Sequence, residues 1–193
     1  MKKQFLLVLV AVLAVFALPW LVSCSPVSST TTTGFTNTGT FTPTVAVTPF
    51  VAVDSSTAYA PFWLDPPIVG VDGTLTIPLS AVQKDIIVHF RVTSAANQQE
   101  TFMAYYYDGL IYVRGDDCVP CQSINFSLKG NLLVCNSCGT TFNAITGKGT
   151  GTVGSPQCRT YPKEIAAYTI QGDQIVMHLN DLDTTFQNTI TKG

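Results

Sequence analysis

Two CxxC pairs constrain this chain more than any other feature. Cys118-Val119-Pro120-Cys121 is followed, after a hairpin-length gap, by Cys135-Asn136-Ser137-Cys138, with Gly139 straight after. Each pair can form a tight turn that aims two sulfurs at one point. Two such turns brought together make a tetrahedral thiolate cage for zinc, iron or an iron–sulfur cluster. The spacing points strongly to a four-thiol site and weakly to what fills it.

The N-terminus says where such a site works. Lys2 and Lys3 precede an almost unbroken apolar run from Phe5 to Trp20, closed by Leu21-Val22-Ser23-Cys24. That pattern predicts a secretory signal over residues 1–23 with a cysteine where the mature chain begins. Leu-Val-Ser-Cys resembles a bacterial lipobox, which implies lipidation of Cys24. The alternative is an uncleaved membrane helix, since Phe5 to Val22 is 18 residues, at the short limit for spanning. Both readings place the remainder outside the cytoplasm and tethered to a membrane.

Of 10 basic residues, two are lost with the signal, leaving 8 against 12 acidic and a net charge of about −4. No basic patch is available to neutralise phosphates, so nucleic acid is not expected as a partner. Residues 24–44 read as a linker. Nine of the fifteen residues from Thr30 to Thr44 are threonine, interleaved with Gly34, Gly39 and Pro43. Such a segment has too little large apolar surface to offset its ordering entropy, which predicts a disordered tether.

Residues 45–193 read as one mainly β domain, a small β-sandwich or barrel. Val45 to Val53, Thr74 to Leu79 and Ile86 to Thr93 suit strands. Three hairpins are expected: around Asp108-Gly109, around Lys129-Gly130-Asn131 and around Gly172-Asp173. Ser80 to Lys84 suits one helical turn, and no segment has convincing helical periodicity. In this arrangement the two CxxC pairs lie in loops leaving adjacent hairpins and pinch one metal centre between them.

The segment Cys118-x-x-Cys121, then Leu133-Val134-Cys135-Asn136-Ser137-Cys138-Gly139-Thr140-Thr141-Phe142, then Cys158, resembles the FtrD-like family of membrane-associated iron–sulfur proteins. Weaker echoes are Thr74 to Ser80, His89-Phe90 and Ile175 to Leu182. The resemblance implies an iron–sulfur centre, electron transfer and a link to ferrous-iron transport at a membrane. One departure is Gly154-Ser155-Pro156-Gln157-Cys158-Arg159, where the family has a GGCNP-like run. A more distant similarity is to Rieske centres. Cys135 to Phe142, with Thr146-Gly147 beyond, looks like the second Rieske ligand loop with cysteine in place of histidine. The expected site is therefore a Rieske-like or rubredoxin-knuckle pair of loops.

Three occupancies compete for Cys118, Cys121, Cys135 and Cys138: iron as a cluster or single ion, structural zinc, or disulfides, the default for exported cysteines. Lipidation of Cys24 leaves five thiols, and an odd number suits four ligands plus one. Cys158 is then a fifth or substitute ligand. Gly139 lets the loop turn close to the sulfurs, and Phe142 shields them. The signal lacks the twin arginines used to export folded cluster proteins, so a metal would be captured outside the cell membrane.

His89 and His178, the only histidines, lie in strand-like runs and read as structural side chains before they read as ligands. Met103 and Met177 read as core. The aromatic run Phe102, Tyr105, Tyr106, Tyr107 and Tyr112 suits a half-buried hairpin. Asp116 and Asp117 suit either a cation or a solvated loop. No GxSxG elbow or nucleophile–base pair is visible. An electron carrier or binding protein is expected rather than an enzyme, with a membrane transporter or redox protein as partner. The competing class is a non-redox surface module braced by zinc or disulfides.

Overall fold

The structure is a computed structural model that describes residues 46–49 and 54–193. The expected signal, Cys24, the linker, and residues 45 and 50–53 of the first expected strand lie outside the described residues.

Among the described residues twelve strands follow one another. β1 (Ala58–Tyr59), β2 (Phe62–Trp63) and β3 (Thr74–Pro78) precede helix α1 (Leu79–Asp85). β4 (Ile87–Thr93), β5 (Gln99–Tyr107) and β6 (Leu110–Gly115) come next, then β7 (Phe126–Lys129), β8 (Leu132–Cys135), β9 (Thr141–Asn143) and β10 (Gly149–Thr150). β11 (Thr169–Gln171) and β12 (Gln174–His178) lead into helix α2 (Leu179–Thr189). The strands form three sheets, ordered β2-β4-β5-β6, β11-β12-β3 and β1-β7-β8-β9-β10. All pairings are antiparallel except β2 with β4.

The three expected hairpins form. Asp108 and Gly109 have φ of 49° and 81°, the doubly positive conformation of a two-residue turn matched to strand twist. Gly130-Asn131 closes β7 on β8, because Lys129 pairs with Leu132. Ala46 pairs only as an isolated bridge to Leu110.

The four-stranded sheet lies at the centre and is buried on both faces. Val88, Phe90, Phe102, Ala104, Ile111 and Val113 pack on one face with residues of β3, β12, α1 and α2. Ile87, Met103, Tyr105 and Tyr112 pack on the other, with Phe126, Leu128, Leu133, Phe142 and three cysteines. The aromatic run of β5 therefore does not belong to a half-buried hairpin. Six consecutive residues from Glu100 to Tyr105 are buried, as in a strand covered on both sides.

The second correction is α2, eleven residues long. Its buried face is Leu182, Thr185 and Thr189, with Leu179 and Phe186 partly buried. Threonines occupy positions where a helix usually shows large apolar residues, so the 3.6-residue period is faint. They fit because the neighbour is close: the Cβ that Gly115 lacks would overlap Thr189. Thr189 Oγ1 also accepts from the Glu164 amide at 3.2 Å.

Candidate metal centre

The five cysteines of the described residues are all free thiols. They reach one place from three loops. Cys118 follows β6 and opens a tight turn: its amide donates to the Ser123 carbonyl at 2.8 Å, and the Cys121 amide donates back to Cys118 at 3.1 Å. Gln122 then takes φ of 55°, which reverses the chain. Cys135 ends β8, and the Gly139 amide donates to its carbonyl at 2.8 Å. Gly139 has φ of 69°, so this knuckle suits glycine. Cys158 comes from the long connection between β10 and β11, at the start of a 3₁₀ turn over Cys158–Thr160.

Thr140 ties the second and third loops together. Its buried hydroxyl accepts from the Ser155 amide at 2.9 Å and lies 3.0 Å from Cys138 Sγ. Gly154 completes this approach, with φ of 82° and no room for a Cβ against Thr140.

The sulfurs of Cys118, Cys121, Cys138 and Cys158 all lie within 4.8 Å of one another. Cys138 and Cys158 are 3.8 Å apart. Cys135 adjoins the group, 3.7 Å from Cys121. Four thiolates bonded to one tetrahedral ion at about 2.3 Å stand about 3.8 Å from each other. The cage thus has the dimensions and donor chemistry of a metal–thiolate centre. The two Sγ–Sγ distances far exceed the ~2.05 Å of a disulfide.

Charge is distributed unevenly over the sulfurs. A hydrogen bond from Cys118 holds Cys135 down to about 4, while the same bond, with burial, pushes the Cys118 thiol up. Burial pushes Cys121 up to about 12. Burial raises Cys158 too, but hydrogen bonds from Cys118, Ser155, Cys138 and Cys121 outweigh it and leave it lowered. Cys118, Cys135 and Cys158 are buried; Cys121 and Cys138 are partly open to solvent.

Around the sulfurs lies a polar shell with little signature in the sequence. His89 is wholly buried, its Nδ1 2.5 Å from Asp116 Oδ2 and its Nε2 3.1 Å from the Phe126 carbonyl. Burial raises Asp116 to about 6 against the pull of His89 and Lys163. Arg114, also buried, donates to Tyr105 Oη at 2.8 Å and to the Lys163 and Ile145 carbonyls at 2.5 Å each. Lys163 donates from Nζ to the Asp117 carbonyl. Phe142 is buried in the same core and meets Phe126 edge-on at 5.7 Å. His178, by contrast, is exposed beside Thr74, and Met103 and Met177 are core residues. His89 and Asp116-Asp117, directly before Cys118, were the members of this shell visible in the sequence; Arg114 and Lys163 were not.

The family described as membrane iron-sulfur containing protein FtrD-like matches residues 82–188, more than half of the chain. This chain belongs to the FtrD-like family. The match runs through all five thiols and the His89–Asp116 pair, and the family is by description membrane-associated and iron–sulfur containing. Among solved structures, the FtrD-like chain is similar to one titled as a complex of reduced oxygenase and oxidized ferredoxin in carbazole 1,9a-dioxygenase. Identity there is 20%, covering 55% of this chain and 94% of that one, with a TM-score of 0.43. It is also similar to a Sphingomonas yanoikuyae B1 ferredoxin, at 18% identity over 46% of this chain and 83% of that one, with a TM-score of 0.35. No curated protein matches. Among the described residues of this FtrD-like protein, no helix is long and apolar enough to cross a membrane.

Proposed function

We propose that this FtrD-like protein is an extracytoplasmic, lipid-anchored electron carrier whose thiolate cage holds iron, acting as an accessory to metal transport across its membrane. The observation that carries the reading is the four-sulfur cage of Cys118, Cys121, Cys138 and Cys158, all within 4.8 Å. Iron held by thiolates supplies reversible one-electron chemistry.

The residues present suit that use. Cys118 and Cys158 are buried and keep the inner side of the centre dry, while half-open Cys121 and Cys138 face the side where a redox partner would approach. Iron could be held there as a single ion or as a cluster, and the family's iron–sulfur description supports iron as the occupant. Cys135 is a fifth thiol against the cage. The sequence pattern around Cys24 supports the lipid anchor, and the family's membrane association agrees with it. The membrane partner would be a metal transporter or its redox component.

The test is to purify the full chain anaerobically from its host and measure metal and acid-labile sulfide per chain beside the visible spectrum. Iron with thiolate charge-transfer absorption is expected. Stoichiometric zinc would make the site a brace and remove the electron-carrier reading. Absence of metal together with absence of titratable thiols would make the cysteines disulfides.

A further inference from the structure

Lys163 is a buried cation in the wall of the metal centre. Its side chain is wholly shielded from water. The ammonium lies 4.9 Å from the centre of the Phe142 ring and 5.4 Å from that of Phe126. Both rings belong to the core that contains Cys118, Cys135 and Cys158. Its hydrogen-bond acceptor is the carbonyl of Asp117, the residue next to Cys118. Among the described residues no carboxylate comes within ion-pair distance of it, and Asp116 is occupied by His89.

A buried ammonium with one carbonyl and two ring faces is under-compensated. Taking such a charge out of water is unfavourable unless negative charge is near. Four groups draw positive charge to Lys163 against the burial that lowers it, in the order Cys118, Asp116, Asp117 and Cys135, so two cage-side sulfurs share this role with two carboxylates that lie beyond ion-pair distance. The backbone around Lys163 is pinned: its amide donates to Gly147 at 2.8 Å and its carbonyl accepts from Arg114 at 2.5 Å. The fold therefore spends an Arg and a glycine on holding this residue in place.

We infer that Lys163 is the built-in counter-charge of the thiolate centre, stabilising the anionic sulfurs and raising the centre's affinity for an added electron. It is a positioning charge and touches no reacting atom. The inference rests on the cage being a metal–thiolate site. A lysine serving only to satisfy the Asp117 carbonyl would be replaceable by a neutral donor.

The experiment uses the reduced full chain and three variants. Lys163→Met removes charge and donor, Lys163→Gln keeps a donor without charge, and Lys163→Arg keeps the charge. Cadmium affinity, read from thiolate charge-transfer absorption under competition, should fall about tenfold or more in the Met and Gln variants and recover with Arg. After anaerobic loading with ferrous iron, the midpoint potential should drop in the same two variants. A tenfold change in a one-electron couple is 59 mV.

Equal cadmium affinity and potential in Gln and wild type would overturn the counter-charge. So would loss of fold in all three variants, because packing alone would then set the requirement. Loss of fold in Met and Gln with a native Arg variant would uphold it. A wild-type chain that binds cadmium in a Lys163-dependent way but takes up no redox-active iron would refute the electron-carrier reading and leave the counter-charge standing. A wild-type chain that binds neither metal overturns both.

Discussion

His89 Nδ1 and Asp116 Oδ2 meet at 2.5 Å with both side chains fully excluded from solvent, joining β4 to the segment that enters the first CxxC turn. Removing one partner of such a pair leaves the other buried without compensation, which typically costs about 3–5 kcal/mol. His89→Ala is expected to lower stability by that order, read from the denaturant midpoint of the metal-free chain. A loss below about 1 kcal/mol would show that the pair does not brace this loop.

Cysteine variants should separate the cage from its neighbour. Serine at Cys118, Cys121, Cys138 or Cys158 is expected to abolish stoichiometric metal binding, because each supplies one corner of the set within 4.8 Å. Cys135→Ser should retain at least half the metal, measured by elemental analysis of the purified chain. Full loss with Cys135→Ser and full retention with Cys158→Ser would reverse their roles.

Gly147 has φ of 70°, and a Cβ there would overlap the Lys163 carbonyl and crowd Arg114 Nη1. Gly147→Ala should therefore cost at least the ~1–3 kcal/mol of a strained left-handed residue. Gly172 has a similar φ, 59°, with open space around it. Gly172→Ala should cost less, and differential thermal unfolding of the two variants would check the ranking.

Glu100 is almost completely buried beside Asp183, and burial together with that neighbour raises it from 4.5 to about 7. The folded chain therefore holds a proton on Glu100 that the unfolded chain releases at lower pH. The sign follows from linkage: this contribution is fully present below pH 4.5 and is lost as pH rises towards and through about 7. Denaturation midpoints should fall over that interval. Glu100→Gln should flatten the fall and be the more stable form above pH 7. An unchanged pH profile in that variant would refute the assignment.

The sequence was most legible where local chemistry and tertiary structure agree. Asp108-Gly109 makes a tight turn because both residues tolerate positive φ, and the CxxC spacing brings sulfurs together whatever surrounds them. It was least legible where burial is decided by distant segments. Nothing near Lys163 announces that a cation will lie between two phenylalanines. α2 buries threonines against a close backbone, which hides its period. β5 looked half-buried because the layer covering its second face comes from β7 to β9, a later part of the chain.

The cage gathers Cys118, Cys138 and Cys158 from three separate loops, with β7 to β10 lying between the first and the last. Whatever binds there closes two long circuits of chain at once, so ligand binding is also cross-linking. Stability then rises with the logarithm of the free concentration of the bound ion once that exceeds its dissociation constant. Under the proposed function, withdrawal of metal is expected to weaken the layer built on β7 to β9 first, read as faster amide hydrogen exchange there in the metal-free chain.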